Sequence, residues 1–232
     1  MLVLGIETST PHSSVAIGSE QGIIASALVA RGTSHGEFLL SAVEFLLHQS
    51  DLRYRNISAV AVGVGPGLYT GLRIGITTAK TVAQALAVPI VGVSSLDVLA
   101  FDVRHSSRSI WAVMDAKRNE IFFARYRQVP GGIARDGEPH LGTVETLIGE
   151  LSAAREDSLL VGSGALLNRA RLEEAEKVEF SSLAESFPRS SSLVELALPR
   201  LFREDFDKVF EVAPLYMRRS DAEIDWDRRN TT

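Results

Sequence analysis

Short apolar runs at residues 3–6, 14–17 and 23–29, rich in β-branched side chains and separated by small or polar residues, open the chain. That pattern predicts an antiparallel meander of three strands. Ser34 and Glu37 then stand at capping-box spacing, and Phe38, Leu39, Ala42, Val43, Leu46 and Leu47 recur at helical intervals, so a helix follows. Residues 57–64 are apolar without a break, as in a parallel strand buried on both faces. The stretch GPGLYTG turns the chain into a second helix over about 70–87, with Thr70 as its N-cap. Pro89 ends that helix, and residues 90–93 form a fifth strand.

The order β-β-β-α-β-α-β then begins again. From Ile110 the chain reads as strand IWAVM, turn DAKRN, strand EIFFARY, a third strand around Ile133, a helix carrying Val144, Leu147, Ile148 and Leu151, strand SLLVG and helix GALLNRA. An α/β fold of two lobes with one duplicated topology is expected, at residues 1–104 and 105–219, followed by a tail over 220–232. Charge marks the same division. Residues 1–104 hold 6 basic and 7 acidic side chains and 11 of the 18 glycines, against 18 basic and 22 acidic beyond, so the first lobe reads as the more tightly packed. In the tail, arginines alternate with Asp221, Glu223, Asp225 and Asp227, which reads as a solvated or partner-ordered segment.

A formal charge of −5 gives no general attraction to a phosphate backbone, which argues against autonomous nucleic-acid binding. The absence of cysteine excludes a disulfide framework, a thiolate zinc site, an iron–sulfur cluster and a cysteine nucleophile. MLVLGIETST has no basic leader, and no uncharged apolar run approaches the ~20 residues of a membrane span, so a cytoplasmic protein is expected.

Two turns are candidates for chemistry. Glu7-Thr8-Ser9-Thr10 follows the first strand, and Asp115-Ala116-Lys117-Arg118-Asn119-Glu120 occupies the matching place in the second lobe. In duplicated nucleotide-binding lobes such turns face each other, glycines cradling phosphate and carboxylates holding Mg²⁺. Neither turn contains glycine, so they fit solvated hairpins as well as vestigial nucleotide-site turns at Glu7, Thr8, Ser9, Asp115, Lys117 and Arg118. The Gly65–Gly71 stretch lacks the Gly-Lys-[Ser/Thr] ending of a phosphate loop and the third small residue of a dinucleotide fingerprint. The five histidines show no ligand spacing, and Ser163 lies outside a G-x-S-x-G elbow, which leaves metal and catalytic sites unassigned.

Gly71, Gly75, Ala79, Ala83 and Ala87 form a small-residue ridge along the second helix. Each mid-helix glycine costs about 0.8–1.0 kcal/mol relative to alanine, so the ridge serves close packing, either within the chain or against another one. Because Leu72, Ile76, Val82 and Leu86 already supply a bulky core face, a partner interface is expected at Gly71, Arg73, Ile74, Gly75, Thr78, Ala79, Val82 and Ala83.

The segments GIETST, SSVAIG, VAVGVGPGLYTGLRIGITTAKTVA, PIVGVSSLDVLA, MDAKRNEIFFARY and PLYMRR resemble the bacterial TsaB (YeaZ) family over about residues 1–219, most specifically from Gly65 to Gly75. The resemblance implies the ribonuclease-H-like, actin-like (ASKHA) topology shared with Hsp70 and the sugar kinases. It also implies a non-catalytic dimerisation subunit for making threonylcarbamoyladenosine next to the anticodon of tRNAs reading codons that begin with A. The implied partners are a TsaD-type catalytic paralogue and a TsaE-type ATPase, with a homodimer when alone. ATP and Mg²⁺ would sit mainly on those partners, and tRNA would be met only through the complex. The paralogue's His-x-x-x-His metal pair does not carry over, since Leu39 follows His35 at that spacing, and Glu7 stands where the family usually has Asp. An ATP-binding kinase-like or a peptidase-like enzyme of the same superfamily is the alternative.

Overall fold

The computed structural model describes residues 1–30 and 35–218. Its first half contains β1 (Val3–Glu7), β2 (Ser13–Ser19), β3 (Gly22–Val29), α1 (His35–Gln49), β4 (Ala59–Gly65), α2 (Tyr69–Leu86), β5 (Ile90–Ser94) and α3 (Ser95–Phe101). The second half repeats the series as β6 (Ser109–Lys117), β7 (Glu120–Val129), β8 (Gly132–Gly142), α4 (Val144–Ala154), β9 (Ser158–Val161), α5 (Ser163–Leu167), α6 (Arg169–Leu172), β10 (Val178–Phe180) and α7 (Ser190–Phe202). The sheet orders are β3-β2-β1-β4-β5 and β8-β7-β6-β9-β10. In both, the first three strands pair antiparallel and the last two run parallel to the first. The expected two-lobe actin-like duplication is therefore present strand for strand.

Two local readings change. The second helix starts at Tyr69, with Leu68 rather than Thr70 at its N-cap and no side-chain cap hydrogen bond. The Ser34 half of the capping box lies outside the described residues. The helix read from GALLNRA divides into α5 and α6.

Packing of the two sheets explains why the halves hold together. On one face of the first sheet, Leu4, Ile6, Val15, Ile17, Val60 and Val62 bury against Leu39, Val43 and Leu46 of α1 and Ile76, Ala79 and Ala83 of α2. The opposite face is made of small side chains, Ala16, Ala59 and Ala61 with Val3 and Val91, and it receives Leu193, Val194, Ala197 and Leu201 of α7. Conversely α3, which follows the first sheet in sequence, lays Leu96, Leu99 and Ala100 on Ile110, Ala112, Met114 and Tyr126 of the second. The other face of that sheet packs Trp111, Val113 and Phe123 against Leu147, Leu151, Ala165 and Leu172 of α4 to α6. Each half thus covers the other's sheet with its last helix, and Ser192 of α7 bonds Asp102 just past α3.

The seat of α7 depends on Gly5. A Cβ there would lie 2.8 Å from both the Ser190 carbonyl oxygen and Val194 Cγ2. Gly5→Val should therefore cost about 1–3 kcal/mol by overpacking, lowering the melting temperature by roughly 2–12 °C for a chain of this size. Gly149 on α4 is the control, because nothing lies within 4 Å of a Cβ there. Gly149→Ala should raise stability by about 0.8–1.0 kcal/mol. Equal melting of the Gly5 variant and wild type would show that α7 can shift on its sheet.

Candidate functional site

The first turn is packed into the interior. Glu7 ends β1 with only 2% of its surface exposed, and its carboxylate accepts hydrogen bonds from the Ser9 N–H at 2.7 Å and the Ser95 hydroxyl at 2.9 Å. It occupies the space in which Gly63 of β4 has no side chain: a Cβ at 63 would lie 2.0 Å from Glu7 Oε2. Burial raises the Glu7 pKa above its ordinary 4.5, against the pull of these hydrogen bonds. Thr8 donates to the Gly71 carbonyl at 2.8 Å, and the Ser9 carbonyl accepts the Leu68 N–H at 2.7 Å. His12 stacks on Phe187 with ring centroids 3.4 Å apart, and burial lowers its pKa.

These contacts account for two of the glycines of the GPGLYTGLRIG stretch, Gly67 and Gly75. A Cβ at Gly67 would lie 2.2 Å from the Ser9 carbonyl oxygen, and one at Gly75 would lie 2.1 Å from Thr8 Oγ1. The ridge of Gly71, Gly75, Ala79 and Ala83, expected to meet another chain, is buried inside this one together with Val82. That expectation is corrected. Four-residue spacing identifies a shared helix face, and the face is small here because the first turn and its sheet press against it. Arg73 remains exposed and Ile74 and Thr78 are half-buried; Thr77, Thr81 and Ala85 continue the outward stripe of α2. Alongside, α1 exposes Leu40 and Phe45.

The second turn is the two-residue hairpin loop Arg118-Asn119 between β6 and β7. Lys117, Arg118 and Asn119 hold φ values of +64°, +56° and +63°, a region that favours glycine. The Asp115 carboxylate accepts the Lys117 N–H at 2.8 Å, closing the turn on itself. Gly162-Ser163-Gly164 is the tight start of α5, where a Cβ at Gly162 would meet the Val113 carbonyl oxygen at 2.3 Å.

Between the turns runs a cleft. Ser9, Thr10 and Leu68 face Asp115, Lys117 and Ser163 across a pocket of about 240 Å³. Beside it, a pocket of about 390 Å³ lies between Tyr69 and Thr70 at the start of α2, Lys117 and Arg118, and residues 215–218. The structure thus brings Ser9, Asp115, Lys117 and Arg118 to one cleft, whereas Glu7 and Thr8 line neither pocket. Among the described residues no group of three His, Asp or Glu side chains could hold a metal ion, and no helix is long and apolar enough to cross a membrane.

The sequence reading missed the segment that bridges this cleft. Asp207 accepts the Gly92 N–H at 2.7 Å on the edge of β5, and Lys80 of α2 donates to the Val212 carbonyl at 2.7 Å. Leu215 then donates its N–H to the Val64 carbonyl at 2.7 Å, and Tyr216 stacks on Tyr69 at 4.9 Å. Met217 packs on the second sheet, and Arg218 donates to the Ala116 carbonyl at 3.0 Å.

Comparison with known proteins gives a consistent set of likenesses. Residues 28–226 match the family model described as TsaD, tRNA N6-adenosine threonylcarbamoyltransferase. The tRNA threonylcarbamoyladenosine biosynthesis protein TsaB of Bacillus subtilis is 32% identical over 231 residues, covering 97% of this chain and 98% of that protein. TsaB of Escherichia coli is 32% identical over 135 residues, covering 57% of this chain and 58% of its own length. The solved structure of YeaZ from Pseudomonas aeruginosa superposes with a TM-score of 0.78 at 25% identity, over 93% of this chain and 100% of that one.

Two outcomes follow from the buried first turn. Gly75→Ala should lower the melting temperature, since Thr8 must move; adding Thr8→Ala should restore part of the loss, giving a coupling of roughly 0.5–3 kcal/mol in a double-mutant cycle. Additive losses would mean that the two residues do not compete for one space. The second outcome concerns pH. Between 4.5 and its raised native value, folded Glu7 keeps a proton that the unfolded chain has released, so stability declines as pH climbs through that window. In urea melts from about pH 4.5 to about pH 8, wild type should lose stability relative to Glu7→Gln. Parallel curves would contradict the raised pKa.

Proposed function

This chain belongs to the TsaB (YeaZ) family and takes part in tRNA threonylcarbamoyladenosine biosynthesis, and from that premise we propose that it is a non-catalytic pairing subunit. In this reading the chain docks on a TsaD-type catalytic paralogue through the outward face of α1 and α2, and the pair recruits a TsaE-type ATPase. Alone, the same face joins two copies. ATP and Mg²⁺ are held mainly by the partners, tRNA is met through the assembled complex, and the assembly works in the cytoplasm.

The observation that carries the reading is the self-filled first turn. A kinase-like mechanism needs amide donors and an open carboxylate at that position to hold a phosphate and its metal ion. Here the carboxylate of Glu7 is spent on Ser9 and Ser95, and the Leu68 amide on the Ser9 carbonyl. What remains outward is a helical face with exposed Leu40 and Phe45 on α1 and Arg73, Thr77 and Thr81 on α2. Aromatic and arginine side chains such as Phe45 and Arg73 are the types enriched in protein interfaces. The small residues behind them let α2 sit flat on its own sheet.

Reconstitution tests the role. Paralogue, ATPase, adenylate-forming enzyme, threonine, bicarbonate, ATP and tRNA should give at least tenfold less modified nucleoside by mass spectrometry when this chain is left out. Undiminished yield would remove the proposal. Thr77→Arg tests the face: it should weaken association with the paralogue by about tenfold or more, equivalent to ~1.4 kcal/mol, without changing the melting temperature.

A further inference from the structure

We propose that the pairing face has a third row beside α1 and α2, the segment 207–216 that follows α7, and that Phe210 in this row is an anchor for a TsaD-type partner. This rests on the pairing role proposed above. Among the described residues Phe210 is the most exposed large apolar side chain, at 81%. An exposed ring alone needs no explanation. Phe210 is set apart by how it is held. Its neighbours Val209 and Val212 pack into the core that lies between α2 and the first sheet. The Glu211 and Val212 amides donate to the Lys208 carbonyl at 2.8 and 3.2 Å, closing a turn. Asp207 ties the start of that turn to the edge of β5, donating its N–H to the Ile90 carbonyl at 3.0 Å and accepting the Gly92 N–H at 2.7 Å. From α2, the Lys80 ammonium donates to the Val212 carbonyl at 2.7 Å and the Phe210 carbonyl at 3.4 Å. A ring presented on backbone that is already ordered loses little entropy when a partner covers it.

The place of this turn follows from the geometry of α2. At 3.6 residues per turn, Ile74 and Lys80 lie about 60° to either side of Thr77, and Thr81 lies about 40° from it. On the Ile74 side runs α1, where a Cβ on Gly36 would come 4.0 Å from Ile74 Cγ2. On the Lys80 side runs the segment after α7, which also meets α2 where Arg73 donates to the Tyr216 hydroxyl at 2.9 Å. The exposed stripe of Thr77 and Thr81 therefore has α1, with Phe45 exposed, on one flank and Phe210 on the other. With α1 and α2 alone the stripe would be the border of the face; with the third row it becomes the middle. Interfaces draw most of their energy from a few aromatic and arginine side chains around such a middle. The occupant follows from the match of residues 28–226, all three rows included, to the TsaD family model. A TsaD-type chain follows the same pattern through these rows, and two chains of one pattern can pair face to face about an approximate two-fold axis.

Association of the full chain with a TsaD-type paralogue should be measured by calorimetry for wild type, Phe210→Ala, Phe202→Ala and Thr77→Arg, beside the melting temperature of each. Phe202 is the control: it is 55% exposed at the end of α7, the helix that covers the opposite face of the same sheet. Phe210→Ala should weaken association by about tenfold or more, and Phe202→Ala by less than about twofold, with neither shifting the melt. A second measurement does not depend on the alanine variant. The chain has no cysteine, so Phe210→Cys gives it a single thiol, whose labelling by a maleimide should slow by about tenfold or more with saturating paralogue. If Thr77→Arg weakens association but Phe210→Ala binds like wild type, or the thiol at 210 labels equally fast free and bound, the third row is wrong and the pairing face stands. Equal losses in Phe202→Ala and Phe210→Ala would also overturn it. If Thr77→Arg binds like wild type, or nothing binds, the docking face itself is wrong and the third row falls with it.

Discussion

One buried carboxyl group ties together the parts of this molecule on which everything else is hung. Glu7 ends the central strand of the first sheet, fills the side-chain space of Gly63 on the neighbouring strand, and accepts the hydroxyl of Ser95, the first residue of α3. Since α3 covers the second sheet, the carboxyl also fixes where the second lobe begins. An ionised carboxylate removed from water carries a penalty of several kcal/mol unless donors surround it, and the two donors here offset it only in part, as its raised pKa shows. Moving Glu7 outward would open a void beside Gly63 and release Ser95, so the turn is held shut by packing as well as by hydrogen bonds.

That constraint bears directly on function. A cleft between two duplicated lobes is a natural place for a nucleotide, and this fold retains the cleft with Ser9, Asp115, Lys117 and Arg118 on its walls. The Ser9 amide and the Asp115 carboxylate are engaged within the chain, with Glu7 and the Lys117 amide respectively, while the Ser9 hydroxyl is buried with no hydrogen-bond partner. The outward faces of α1 and α2 carry exposed side chains, Leu40 and Phe45 among them. The proposed pairing role needs only such a scaffold, in which α3 and α7 each cover the sheet of the other half.

Much of the architecture was legible in the sequence, for identifiable reasons. The first strands stand out because β-branched runs are bounded by small and polar residues, and the β4 segment because it is apolar throughout, as a strand buried on both faces must be. The repeat of the element order gave the duplication. By contrast, α7 is obscured by its opening serines and by Pro199 within it, and no local periodicity says which sheet a helix will cover. The glycine ridge shows the same limit. Its spacing marks a close-packed face, but that Thr8 fills the space beside Gly75 is a tertiary fact. The segment after α7 rests on single contacts such as those of Asp207 and Leu215, which leave no pattern to read.

The central claim is that the first turn is closed to phosphate because the chain itself occupies it. Calorimetric titration of the isolated protein with Mg-ATP addresses that claim most directly. The account predicts no saturable heat at micromolar nucleotide, both for wild type and for Glu7→Ala. A dissociation constant in the low micromolar range that is lost in Glu7→Ala would contradict it, because it would make Glu7 a ligand-holding group rather than a structural plug.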